Sequence, residues 1–378
     1  MDVLLERTYA QVSLTRMKQN MQAIRKLLAP ACKILTVLKA DAYGHGAAAC
    51  VLACDPATDY YGVATLQEAS ELRLAGTAKD ILLFGRLPLH RIRDAVKYAV
   101  TISVFSLQYA KELDAVLDKI GAALFIHIEI DTGLNRTGVC YRDSLADLCK
   151  GEVEEVFKLK HLHVKGIYTH FACAGGGDKP DARFAEIQFR LFSQLCSQLT
   201  LDGYDVGIRH CCSSDFILQD PQWHLDMVRA GMLVFGQCSS EADRIRNGFL
   251  PALTWRAQIM EMKQVDANES VGYDRTFQTR RKTTIAVISA GYADGYRRTY
   301  SNKARVLIHG EFAPVIGKVC MDSILVDITN LSHVRIGDWA TLLGEDGDNA
   351  ISPNELAQYE IMLTSYGTLR SDVEKIKK

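Results

Sequence analysis

The chain lacks any apolar run long enough to span a bilayer, any excess of charge of one sign, and any Cys-x-x-Cys pair. The first absence excludes a transmembrane helix. The second, 44 basic against 45 acidic residues, leaves no electrostatic footprint for nucleic acid or a membrane surface, so a small-molecule ligand is expected. The eleven cysteines are odd in number and scattered, and the neighbours Cys211 and Cys212 suit neither an ordinary disulfide nor a zinc knuckle. They read as reduced thiols of a cytoplasmic protein. The opening MDVLLERTYAQVSL is broken by charge and has no small-residue cleavage site, which argues against a signal peptide. A soluble domain cut from a larger membrane protein stays open. No fixed-period repeat and no low-complexity linker interrupts the chain.

What is present points to two domains within 378 residues. From about residue 30 to about 240, short β-branched runs (Ile34–Leu38, Tyr60–Ala64, Ile81–Phe84, Val100–Val104, Leu124–Ile130, Val164–Tyr168, Gly207–Arg209, Met227–Arg229) alternate with helical stretches such as Leu66–Leu74 and Phe184–Leu199. Eight such units predict an α/β fold, a (β/α)8 barrel rather than an open sheet. After about Pro251 strand follows strand with Gly-containing turns, which predicts a second, mainly β domain. The expected division is 1–245 for the barrel and 246–378 for the β domain, with the strand-like Thr8–Leu14 a candidate to pair with the latter.

Barrels of this class place their chemistry at the carboxyl ends of the strands. Those ends carry Lys39 and Tyr43, Arg136, His170, His210 with Ser213 and Ser214, and Arg229 with Gly231. Any one of these alone is a solvated rim residue or a satisfied core histidine; their recurrence on one face is the signal. Lys39 ends an apolar run, where partial desolvation lowers an amine's pKa and favours nucleophilic chemistry. Taken by itself it is a rim lysine that snorkels to water. Gly175-Gly176-Gly177 reads as a flexible loop rather than a phosphate cradle, and His161 with His163 lacks a third ligand at metal spacing, so no metal site is expected.

VLKADAYGHG, IEIDTGLNRTGV, GIYTHFA, VRAGMLVFG, VGYDRTF, AGYADGY and IGKVCMD occur in the order seen in alanine racemases, and the resemblance runs from Thr8 to about Ala357. It implies a pyridoxal 5'-phosphate (PLP) enzyme of fold type III, with the cofactor carried covalently on Lys39. The same resemblance implies a homodimer in which the second domain of one subunit completes the site of the other. Lys39 and Tyr273, the latter from the second subunit, would be the two bases. Two bases suit racemisation, which removes a proton from one face of a planar carbanion and returns it to the other.

The resemblance also implies cofactor contacts from Arg229 at the pyridine nitrogen, from His170 and His210 beside it, and from Tyr43, Ser213, Ser214, Gly231 and Met232, mainly around the phosphate. Arg136, Met321 and Tyr292 would meet the substrate, with Asp322 a structural neighbour. Some relatives carry a carbamylated lysine where Glu129 stands, and a Glu129–Arg136 ion pair is expected in its place. Ser213 replaces the asparagine usual in H-x-x-N-S, and the tail SYGTLRSDVEKIKK departs from the usual closing segment, with Tyr366 a candidate for its tyrosine. Alanine is the first expected substrate and peptidoglycan precursor supply its expected use. A serine or serine/alanine racemase, in one form the catalytic domain of a larger resistance protein, is the alternative. A non-catalytic PLP-carrying barrel or a decarboxylase of the same fold type ranks below both.

Overall fold

In the computed structural model residues 7–173 and 179–359 are described. The described residues divide into two compact units, one within residues 14–250 and one combining residues 7–13 with 251–359. The division thus falls at 250/251 rather than 245/246, and the first strand leaves the barrel unit. Backbone pairing is the reason: Thr8–Val12 runs antiparallel to the start of the long strand Leu253–Val265, from Thr8 opposite Ala257 to Val12 opposite Leu253.

The unit 14–250 is a parallel barrel. Its strands are Lys33–Val37, Tyr60–Val63, Asp80–Leu83, Val100–Val104, Leu124–Asp131, Leu162–Thr169, Ile208–His210 and Met227–Ala230. The first seven pair in succession, and the eighth pairs with the first. Between the seventh and eighth the seam is held by two backbone bonds, Asp226 N–H to the Arg209 carbonyl and Arg229 N–H to the Cys212 carbonyl. The Arg209–Asp226 ion pair, 2.8 Å, supports it. Strands such as Val100–Val104 are buried at every residue, as parallel strands covered on both faces must be. The helices that cover them start and stop where the sequence instructs. Leu66–Leu74 begins with a capping box of Thr65 and Glu68, and Leu107–Ile120 begins at a Ser106 cap and ends at left-handed Gly121.

The other unit is an antiparallel sheet ordered Glu311–Pro314, Arg305–Ile308, Trp339–Asp346, Leu253–Val265, Thr283–Ile288, Ile324–Asp327. A bridge between Val315 and Val326 joins the two ends of that order. Its core packs Ile259, Ile288, Tyr296, Val306, Ile324 and Leu342.

Candidate active site

Lys39 lies two residues beyond the first barrel strand. The next four residues, Ala40 to Tyr43, all have φ between 52° and 55°, so the chain makes one left-handed helical turn out of L-residues. Such a conformation costs about 1–2 kcal/mol per residue, so neighbouring groups must hold it. Glu68 does so. Its carboxylate is 3 % exposed and accepts from Ala40 N–H at 2.8 Å through one oxygen, and from Ala64 and Thr65 N–H at 2.8 and 3.1 Å through the other. Asp41 accepts from Ala47 N–H at 2.8 Å, and the His45 ring stacks on Phe235 at 4.1 Å. Burial lowers the Lys39 amine below its ordinary pKa; the Arg136 charge adds to the shift and Glu68 opposes it.

The turn delivers Tyr43 to the last strand. Its hydroxyl sits where a side chain on Gly231 would begin, since a Cβ there would stand 2.7 Å from that oxygen. Beside it, Ser214 Oγ accepts from Gly231 N–H at 3.0 Å and Leu233 N–H at 3.3 Å. Ser213 sits at the amino terminus of the short helix Ser214–Ile217 without capping it through its side chain. Met232 starts the 3-10 turn that follows Gly231.

Arg229, on the eighth strand, is buried. Its Nη1 reaches His210 Nδ1 at 3.0 Å and the His210 carbonyl at 3.1 Å. Its Nη2 reaches the Thr169 and Cys211 carbonyls, both at 2.9 Å, and His170 Nδ1 at 3.0 Å. The terminal nitrogens are thus committed to protein acceptors, and no described residue accepts from the Nε–H. Burial, followed by the Arg229 charge, drives His170 and His210 well below the ordinary histidine pKa, so both rings are neutral at pH 7. The Tyr168 ring stacks on His210 at 4.8 Å, and its hydroxyl lies 2.5 Å from Ser103 Oγ.

Glu129 is 4 % exposed and faces Thr137 and Tyr168, and burial raises its carboxyl pKa. The expected ion pair with Arg136 is not among the described ion pairs. Arg136 is exposed on the loop after the fifth strand, and its charge reaches Glu129 and Lys39 only through space. That loop is set by Asp131, which accepts from Gly133 and Asn135 N–H at 2.8 and 3.1 Å.

The remaining candidates belong to the β unit and are described there. Tyr273 stands 66 % exposed on a turn whose next two residues, Asp274 and Arg275, have φ of 57° and 53°. An Asp274–Lys318 ion pair ties the turn to the loop before Met321. Gly272, Tyr273 and the segment Cys320–Ser323 line one open depression. The Met321 carbonyl accepts from Ala293 N–H at 3.0 Å, while no described residue accepts from the Met321 N–H. The Tyr292 ring lies 5.8 Å from the Arg298 guanidinium.

The barrel therefore gathers Lys39, Tyr43, His170, His210, Ser214, Arg229 and Gly231, and the β unit gathers Tyr273 and Met321. Residues 12–239 match the family model described as alanine racemase, N-terminal domain, and residues 252–371 match alanine racemase, C-terminal domain. The chain belongs to the alanine racemase family. Alanine racemase 2 of Caldanaerobacter subterraneus subsp. tengcongensis is 35 % identical over 353 residues, spanning 93 % of this chain and 89 % of that relative. The alanine racemase structure from D-cycloserine-producing Streptomyces lavendulae has 30 % identity and a TM-score of 0.87, covering 98 % of this chain and 96 % of that one. In fold the chain also matches alanine racemase from Bartonella henselae with covalently bound pyridoxal phosphate, with a TM-score of 0.82 at 24 % identity over 97 % of each chain.

Within this family frame the site contains residues that sequence reasoning passed over. Glu68 was legible as the third helical residue of the T-x-x-E capping box, but its bond to Ala40 was not. His127 alternates with Glu129 and Asp131 on one strand, a period that puts all three on one face, yet nothing local marks it. Gly175 to Gly177 and Tyr366 lie outside the described residues.

Proposed function

We infer that this member of the alanine racemase family interconverts L- and D-alanine, using PLP carried covalently on Lys39, as a cytoplasmic homodimer that supplies a peptidoglycan precursor. The observation that carries the reading is the constellation of a half-buried, depressed-pKa lysine, a buried arginine with one uncommitted N–H, and a hydroxyl-and-amide cradle with no room for a side chain. These residues fit PLP. Tyr43, Ser214 and the amides of Gly231 and Met232 would take the phosphate, and Arg229 would meet the ring nitrogen through Nε–H. The Bartonella neighbour carries the same cofactor covalently.

When bound, PLP would supply an electron sink that acidifies the substrate's α-proton. The chain's own residues would do the rest. Lys39 Nζ would hold or return that proton on one face, its pKa lowered by burial. Tyr273 of the partner subunit would serve the other face, in keeping with its exposure on a projecting turn. Arg229, a guanidinium among three carbonyls and two imidazole lone pairs, would keep its protons and leave the ring nitrogen unprotonated. That weakens the sink and favours proton exchange over transamination. His170 accepts from Arg229 at Nδ1, so its proton is on Nε2 and available as a donor. Arg136 at the mouth and the unused Met321 N–H would receive the substrate carboxylate, with Tyr292 at the entrance.

Among the described residues no cysteine forms a disulfide, which supports a reducing compartment, and no helix is long and apolar enough to cross a membrane. The serine alternative rests on the divergent tail, whose residues 365–378 lie outside the described ones. Incubation of the PLP-loaded protein with L-alanine and, separately, L-serine tests the reading. D-alanine should form at the higher rate. Formation of neither enantiomer by protein that binds PLP overturns it, and D-serine in excess moves the substrate to serine.

A further inference from the structure

The fifth barrel strand carries a histidine to which the proposed chemistry gives no task. His127 is fully buried, and its Nδ1 lies 2.8 Å from His210 Nε2. The other nitrogen of His210, Nδ1, is the one that meets Arg229 Nη1 at 3.0 Å. Three groups therefore stand in line: Arg229, His210, His127.

Proton positions along this line follow from the donor inventory. A guanidinium only donates, so His210 Nδ1 must be a bare acceptor. A neutral imidazole carries one ring proton, which in His210 is then on Nε2 and is donated to His127 Nδ1. His127 in turn keeps its proton on Nε2. The opposite order, with His127 Nδ1–H donating, would leave His210 with no ring proton, or with an Nδ1–H aimed at Nη1. Charged rings fail equally, because each would set two donors face to face. Burial agrees, holding His127 at about 3 and His210 well below the ordinary value. The charged and titratable groups facing His127 are Lys165 and Arg229, which push the same way, Asp80, which opposes them, and His210 itself.

The arrangement is unfavourable for His127 considered alone. Its Nε2 has no partner among the described residues, and a buried, unpaired polar group carries a desolvation penalty. Room for the ring is made by Gly166 on the adjacent strand, where a Cβ would come within 2.6 Å of His127 Cε1 and 2.8 Å of Nδ1. The compensating gain lies one ring away, at Arg229.

We propose that His127 is a positioning residue: its Nδ1 lone pair accepts the Nε2 proton that Arg229 obliges His210 to carry, and so locks the His210 ring in place with Nδ1 on Arg229. The lock commits Nη1 to His210 and leaves Nε–H as the donor that serves the cofactor ring. That last clause rests on the reading of Arg229 given above; the tautomer itself does not.

Histidine-selective 15N NMR on the full-length, PLP-loaded chain tests the lock. His210 should appear as the neutral Nε2–H tautomer and stay so between about pH 5 and pH 9, outside the usual histidine titration. His127→Asn keeps a side-chain acceptor near the Nδ1 position and should preserve that tautomer. His127→Leu removes the acceptor; Arg229 still fixes the tautomer, but the His210 Nε2–H loses its partner and its proton resonance should move upfield. In the same variant kcat should fall about tenfold with KM within about twofold, the worth of one hydrogen bond felt at the reacting step. An Nδ1–H or charged His210 in the wild-type chain overturns the lock, as does a His127→Leu protein whose His210 Nε2–H resonance is unmoved. Should His127→Leu fail to fold, the wild-type and His127→Asn spectra decide. A chain that shows the lock but makes no D-alanine would sink the functional reading and leave the lock standing.

Discussion

The Tyr43 hydroxyl occupies the space that a Gly231 side chain would need: a Cβ on that glycine would lie 2.7 Å from the oxygen. The contact joins the turn after the first barrel strand to the turn after the eighth, so two neighbouring strands of the parallel sheet meet at the proposed phosphate cradle. Gly231→Ala must therefore push Tyr43 outward or shift the amide that Ser214 now accepts from. Overpacking of this kind costs roughly 1–3 kcal/mol. PLP affinity should fall about tenfold to a hundredfold, with near-native far-UV circular dichroism, and a titration of the cofactor-free protein with PLP measures it. Unchanged affinity would remove this cradle from the phosphate site.

Glu68 links the left-handed turn to the second barrel strand by accepting from Ala40, Ala64 and Thr65. Glu68→Ala strands those donors, at about 1–3 kcal/mol for each one left without water. The melting temperature should drop by about 5–10 °C. Covalent capture of PLP by Lys39 should also slow, because the turn that follows the lysine loses its clamp. Stopped-flow absorbance during reconstitution checks the second effect. A lower melting temperature with an unaltered capture rate would make Glu68 a helix cap only.

How much of this was legible in the sequence differs between elements. The strand Val100–Val104 could be read to the residue, because a β-branched run bounded by turn residues leaves little choice. The left-handed turn could not. Ala-Asp-Ala-Tyr has no residue that prefers positive φ, and the conformation exists only because Glu68, Asp41 and Phe235 impose it. The Glu129–Arg136 pairing failed for a related reason. Spacing along a strand and loop says that two charges are near, but not that Asp131 will hold the loop so that Arg136 points to solvent while Glu129 turns to Thr137 and Tyr168. Site residues set by long-range acceptors, such as the Thr169 and Cys211 carbonyls on Arg229, leave no trace in local pattern.

Three neutral histidines, the fully buried His127 and His210 and the half-buried His170, give the barrel a definite pH response. Each has a folded-state pKa below its unfolded value near 6.5, so the unfolded chain binds more protons below that pH. Stability is therefore complete above pH 6.5 and is lost as pH falls toward the folded values. Between pH 7.5 and pH 5.5 the loss from His127, held at about 3, is roughly 1.4 kcal/mol. Urea midpoints across that window should decline as the pH is lowered, and His127→Asn should flatten the slope by about that amount. A variant slope equal to the wild-type one would mean that His127 does not titrate on unfolding.

Tyr273→Phe separates the two proposed bases. The side chain is 66 % exposed, so losing the hydroxyl should leave stability within about 0.5 kcal/mol of the parent. PLP should bind as before, since Lys39 and the cradle belong to the barrel unit. Racemisation should fall by about 10²–10⁴, the usual contribution of a positioned acid–base group. In deuterated water the defect should be one-sided. The enantiomer whose α-proton faces Lys39 Nζ should still exchange that proton for deuterium without inverting, whereas its mirror image should exchange neither. Proton NMR of the α-position, run in parallel from L- and D-alanine, distinguishes the cases. Equal loss of exchange from both enantiomers would make Tyr273 a structural or substrate-positioning residue, and full activity would exclude it as a base.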